Sequence, residues 1–228
     1  MSRRDTAFIA SYFFSGILFM VFKEFSLPLP AFVMKSLIMI ILTLHFLSKI
    51  RVAENRLHML FLAGLIFSWA GDVFLEIPQA YGDMFIPGLV SFLLAHVMYI
   101  LVFFLTPGKN CITGRKFYLL VPLFIYEAAL ILYLNPGLGS MQIPVYVYSV
   151  VIMTMLAGAV NRLDKVDRTS FWLVVTGAFL FVLSDSAIAV NKFGHGFRGS
   201  LWFIMTTYII AQYLIVTGYV KQFREKQD

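Results

Sequence analysis

The chain has 228 residues, of which 60% are hydrophobic and 13% charged, and a formal net charge of +6. Soluble domains carry roughly 25% charged residues, so ionic groups this sparse leave a globule of this size without a hydrated surface. Disorder, a collagen-like repeat and a disulfide scaffold are excluded together: apolar content is high, glycine is not periodic, and one cysteine (Cys111) permits no internal bridge. The composition is that of an all-α integral membrane protein.

A bilayer core about 30 Å thick takes roughly 20 apolar residues as a helix. In chain order such stretches run over Thr6–Phe22, Pro30–Leu47, Leu57–Ile77, Met84–Thr106, Phe117–Leu134, Ile143–Val160, Thr169–Val190 and Ser200–Val220. Little chain is left for anything else. Residues 1–228 therefore read as a single transmembrane domain, an eight-helix bundle. The first span follows Arg3 and Arg4 as a signal peptide would, but Lys23-Glu24 comes after it without a small-residue cleavage site, so an uncleaved anchor is expected. Pro28 and Pro30 precede the second span, Pro78 follows the third, and Pro107-Gly108 ends the fourth. Asn135-Pro136-Gly137 is expected to turn the fifth span into the sixth.

Lys and Arg fall unevenly between these spans. The N-terminus, the 2–3, 4–5 and 6–7 loops and the C-terminus hold fourteen of them, including Lys49, Arg56, Lys109, Arg115, Lys116, Arg162, Arg168, Arg224 and Lys226. The opposite ends hold Lys23, Lys192 and Arg198. The asymmetry places both termini in the cytoplasm. The basic balance is thus a topology signal, and no nucleic-acid partner is expected.

Spans three and seven resemble each other. Gly64 and Gly177 each lie eight residues before an aspartate, Asp72 or Asp185, and a small residue (Gly71, Ser184) stands immediately before each. The following spans begin near Gly88 and Gly199, with Phe92 and Phe203 four residues on. If this is a repeat, it relates two four-helix halves about an axis along the membrane normal. The competing reading is chance similarity between apolar helices.

Charged groups inside a bilayer cost roughly 2.5–3.5 kcal/mol each on insertion scales, and where they occur they face cavities. This chain places Lys35, Asp72, Glu127 and Asp185 within spans, His96 beside them, Glu76 near the end of a span and Asn191 just past one. Counting about 1.5 Å per residue from the nearest cytoplasmic charge puts Asp72 and Asp185 about 24–25 Å deep, Lys35 and Tyr148 about 21 Å, and His96 and Glu127 nearer 15–16 Å. Two Asp, a Lys and a Tyr therefore share one layer, with a His and a Glu beneath. Each has a plain structural alternative: an ion pair for Lys35, a packing histidine for His96, a helix–helix contact for Glu127, and simple solvation for Glu76. The scattered histidines make no metal site. No phosphate loop, nucleophile elbow or cofactor motif occurs. Two carboxyls with a cation nearby suit acid–base hydrolysis, one giving a proton and the other taking one. They suit proton-coupled transport of a small or lipid-like solute equally well.

These residues together resemble the lysoplasmalogenase-like YhhN family of membrane proteins. The resemblance rests on Lys35 early in span two, Gly71-Asp72 in span three, and Phe85-x-x-Gly88-x-x-x-Phe92-x-x-x-His96-x-x-Tyr99 in span four. It continues with Gly177-x-x-x-Phe181-x-x-Ser184-Asp185 in span seven and Tyr208-x-x-x-Gln212 in span eight. Ser36 stands where the family often has proline after the lysine. The resemblance implies hydrolysis of the vinyl ether bond of a lysoplasmalogen, a lysophospholipid, to a fatty aldehyde and a glycerophospho-alcohol. It implies Asp72 and Asp185 as catalytic groups, Lys35, His96, Tyr148, Glu127 and Asn191 as substrate contacts, no cofactor, and a plasma-type (inner) membrane if the source is bacterial.

Overall fold

The computed structural model describes residues 3–78, 82–108 and 117–224. Lys109, Cys111, Arg115, Lys116 and Lys226 lie outside the described residues. The described chain is helical: α1 (Arg3–Glu24), α2 (Pro28–Lys49), α3 (Arg56–Glu76), α4 (Phe85–Leu105), α5 (Val121–Leu138), α6 (Gln142–Val160), α7 (Arg168–Phe193) and α8 (Ser200–Arg224), with short 3-10 turns between some of them. Seven stretches are long and apolar enough to cross a bilayer. One of these, Tyr118–Val160, is 43 residues long and contains both α5 and α6. The protein is a multi-pass integral membrane protein.

Local chemistry sets the helix ends. α2 opens on Pro28 at its first turn, where the missing N–H is not needed. The Asn55 side chain accepts from the Leu57 N–H to start α3, and Asp167 accepts from Thr169 and Ser170 to start α7. The fifth span departs from expectation. Pro136 lies inside α5, which continues to Leu138, and the chain reverses at Gly139 with φ +52°. A proline, fixed near φ −65°, has no access to that conformation, whereas glycine adopts it without strain. Asn135 is not a turn residue; its side-chain oxygen accepts from the Tyr146 hydroxyl and from Gln142 Nε2, joining the end of α5 to α6.

The chain divides into two compact units, Met1–Tyr99 and Ile100–Asp228. In the first, α2 packs against both α1 and α3. An ion pair between Lys49 and Asp5 joins α2 to α1 at one end. α3 and α4 approach at glycines: a Cβ on Gly64 would lie 2.7 Å from the Tyr99 ring, and one on Gly71 would lie 2.6 Å from Phe92. Phe46, Phe61 and Tyr99 continue that core as rings in tilted contact.

In the second unit α7 packs along α8. A Cβ on Gly177 would meet the Ala211 carbonyl oxygen at 2.8 Å. Ser184 Oγ donates to the Ile204 carbonyl at 3.0 Å, and Ser170 Oγ to the Gly218 carbonyl at 2.7 Å. Arg162 departs from its expected place at a solvated cytoplasmic edge. It is fully buried, its Nη2 donating to Ser170 Oγ at 3.0 Å and to Gln222 Oε1 at 2.8 Å, with its guanidinium over the Phe103 ring. Burial pushes it down to about 10, still charged at neutral pH, with Tyr219 and Asp167 opposing the shift. It clasps the α6–α7 turn to α8.

Candidate functional site

Asp72 lies on the last turn but one of α3 and is 1% exposed. Its neighbour Gly71 lets α4 approach closely enough to seal that side with Phe92. From α2, Lys35 reaches into the same place, its Nζ 3.9 Å from Asp72 Oδ1. Phe19 of α1 walls the ammonium, the ring centroid lying 5.2 Å from Nζ. An ammonium over an aromatic face gains from the ring quadrupole, which offsets part of the cost of removing it from water. The expected pairing of Lys35 with Asp72 thus exists, in a dry setting.

Lys35 has a second partner. Glu76, the last residue of α3, has Oε2 3.8 Å from the same Nζ, and its Oε1 takes an ion pair from Lys23 at the end of α1. The Glu76 side chain is only 6% exposed, against 46% for Lys23. Four charges of alternating sign therefore run from a half-exposed lysine to a buried aspartate. The position of Glu76 near the end of its span predicts simple solvation at the membrane interface; burial between two lysines corrects that. The sequence carried a usable signal, since Glu76 is four residues from Asp72 on one helical face, with Lys23 and Lys35 as available cations.

In the second unit Asp185 lies on α7, partly buried, and forms a hydrogen bond through Oδ2 with the Tyr148 hydroxyl of α6. Two residues placed in one layer by counting are thus in direct contact. Ser184, beside Asp185, is fully buried and tied to α8, which holds this stretch of α7 in place. The two units therefore treat their aspartates differently: an ammonium in the first, a phenol in the second.

The other expected contacts scatter. His96 is fully buried on α4. Glu127 lines a separate cavity of about 210 Å³ with Leu123, Phe124, Val150, Met153 and Thr154, between α5 and α6. Asn191 lies within the last turn of α7 rather than past it, and is exposed. Among the described residues no three His, Cys, Asp or Glu side chains group as metal ligands.

Residues 30–219 match the YhhN family. The chain belongs to the YhhN family. Over 169 residues it is 34% identical to a bovine lysoplasmalogenase, TMEM86A, covering 72% of this chain and 67% of that protein. Human lysoplasmalogenase TMEM86A is 33% identical over 159 residues, 69% of this chain and 64% of its own. A lysoplasmalogenase of Mycobacterium bovis is 31% identical over 158 residues, 68% of this chain and 58% of its own. The chain thus spans between 58% and 67% of the length of these relatives. No solved structure matches it. The residues matched to the YhhN family include Lys35, Asp72, Glu76, Tyr148 and Asp185, and leave out Lys23.

Proposed function

We propose that this YhhN-family protein is an enzyme that hydrolyses the vinyl ether bond of lysoplasmalogens within the membrane, giving a fatty aldehyde and a glycerophospho-alcohol. The observation that carries the reading is the pair of intramembrane aspartates with unlike partners, in a chain whose relatives are named lysoplasmalogenases. A vinyl ether is opened by adding a proton to its outer alkenyl carbon, which leaves an oxocarbenium ion at the carbon bonded to oxygen. Water attacks that carbon and loses a proton, and the hemiacetal collapses, the ether oxygen leaving with the glycerol. The chemistry needs one carboxyl that gives a proton and one carboxylate that stabilises the cation and takes the proton of water.

We assign the carboxylate to Asp72, whose ion pair with Lys35 suits the charged form, and the proton donor to Asp185, which bonds to the phenol of Tyr148. Lys35, His96, Tyr148, Glu127 and Asn191 remain proposed substrate contacts. Topologically, α5 and α6 count as two spans: one straight helix of 43 residues would rise about 65 Å, twice the bilayer core. That gives eight spans in one transmembrane domain, with both termini cytoplasmic, in a plasma-type membrane if the source is bacterial.

The test is purified protein in detergent micelles, given a 1-alkenyl lysophospholipid and its saturated 1-alkyl counterpart. Aldehyde from the alkenyl lipid alone supports the reading, because a saturated ether offers no carbon to protonate. No aldehyde from either lipid refutes it, and movement of an unaltered lipid across sealed vesicles would make the protein a transporter instead.

A further inference from the structure

Glu76 stands where a carboxylate is unfavourable for two reasons. Its side chain is nearly buried, and it closes the C-terminal end of α3, where the helix dipole repels negative charge. Two lysines offset those costs, so the residue's effect on the lysines is the thing to explain. A lysine side chain is a flexible stem carrying a compact charge, and a single long contact does not hold it in one geometry. Lys35 has three points of reference: Asp72 at 3.9 Å, Glu76 at 3.8 Å and the Phe19 ring at 5.2 Å. Its ammonium hangs between two carboxylates one helical turn apart, and forms a close hydrogen bond with neither.

We infer that Glu76 is a positioning residue for the hydrolysis, holding Lys35 back from Asp72, and that Lys23 is the outer anchor of that arrangement. This rests on the reading of Asp72 as a reacting carboxylate. An ammonium in direct contact would occupy the lone pairs with which Asp72 takes a proton from water; an ammonium held at 3.9 Å does not sit on them, while still balancing the charge. Lys23 satisfies the other oxygen of Glu76, so the four groups sum to no net charge. Without Glu76 the Lys35 ammonium closes on Asp72. Without Lys23, Glu76 draws Lys35 away from it.

The experiment measures kcat and KM for aldehyde release from an alkenyl lysophospholipid, with the full chain as wild type, Glu76→Gln, Glu76→Asp and Lys23→Met. Glu76→Gln is expected to lower kcat about ten- to a hundredfold, the scale of an ångström's misplacement of a reacting group, while KM stays within about twofold. Glu76→Asp keeps the charge and restores most of kcat. Lys23→Met, at a half-exposed position, gives a smaller fall in kcat with the same unchanged KM. Wild-type kcat in Glu76→Gln overturns the inference. So does a loss that Glu76→Asp fails to restore and that follows a lowered melting temperature in all three variants, since that marks a structural tie. Absence of aldehyde release by the wild-type protein refutes the hydrolase reading itself and takes this inference with it.

Discussion

Asp72 and Asp185 occupy matching places in two stretches of similar sequence, each eight residues after a glycine and directly after a small residue. Their surroundings differ in kind. The first unit gives its aspartate an ammonium, backed by a second carboxylate and a second lysine. The second gives its aspartate a phenol. The glycines differ in parallel, because Gly64 receives the edge of an aromatic ring while Gly177 receives the backbone of α8. One pattern of small residues followed by a carboxyl has thus been furnished twice, once for a charged partner and once for a neutral one. The proposed mechanism uses that difference to give two chemically identical side chains different protonation roles.

The comparison can be broken in several ways. Asp72→Asn and Asp185→Asn are expected to give the largest effects, each lowering kcat about 10²- to 10⁴-fold, the usual span of general acid–base catalysis. An Asp185→Asn variant with undiminished turnover would leave only the charged unit at work. The partners should separate the units further. Lys35→Met leaves the buried Asp72 carboxylate without this counter-charge, and a loss of about a hundredfold is expected. Tyr148→Phe removes one hydrogen bond, worth about 1 kcal/mol, so a fall of roughly tenfold or less is expected. Equal losses would contradict the distinction drawn between them.

The remaining effects concern stability, read as melting temperature in detergent. Arg162→Ala removes the hydrogen bonds to Ser170 Oγ and Gln222 Oε1 inside the second unit, and a loss of about 2–3 kcal/mol is expected. Gly177→Ala presses a Cβ against a backbone carbonyl that has little freedom to yield, for about 1–3 kcal/mol. Gly64→Ala meets the side-chain ring of Tyr99 rather than backbone, so its loss should be smaller than that of Gly177→Ala. The reverse order would place the tighter helix contact in the first unit.

Much of this was legible in the sequence, for identifiable reasons. Hydrophobic runs of bilayer length mark the helices because the solvent demands them, and charges inside such runs mark the site because they are costly there. Counting residues brought Tyr148 and Asp185 into one layer, and they touch. Other features depend on partners distant in the chain. Glu76 is buried between Lys23, 53 residues earlier, and Lys35. Arg162 is buried with its Nη2 bonded to Gln222, 60 residues later, and to Ser170. Pro136 misled for a different reason. Proline is a general mark of helix ends, but the reversal needed a positive φ, which belongs to Gly139.

The central claim is that a carboxyl of this protein delivers a proton to a vinyl ether carbon. Hydrolysis of an alkenyl lysophospholipid by the purified protein in heavy water tests it most directly. The account predicts a fatty aldehyde carrying one deuterium on the carbon next to the carbonyl, formed by the wild-type protein and all but lost in Asp72→Asn and Asp185→Asn. Aldehyde without that deuterium, or formed at an undiminished rate by both variants, would contradict it.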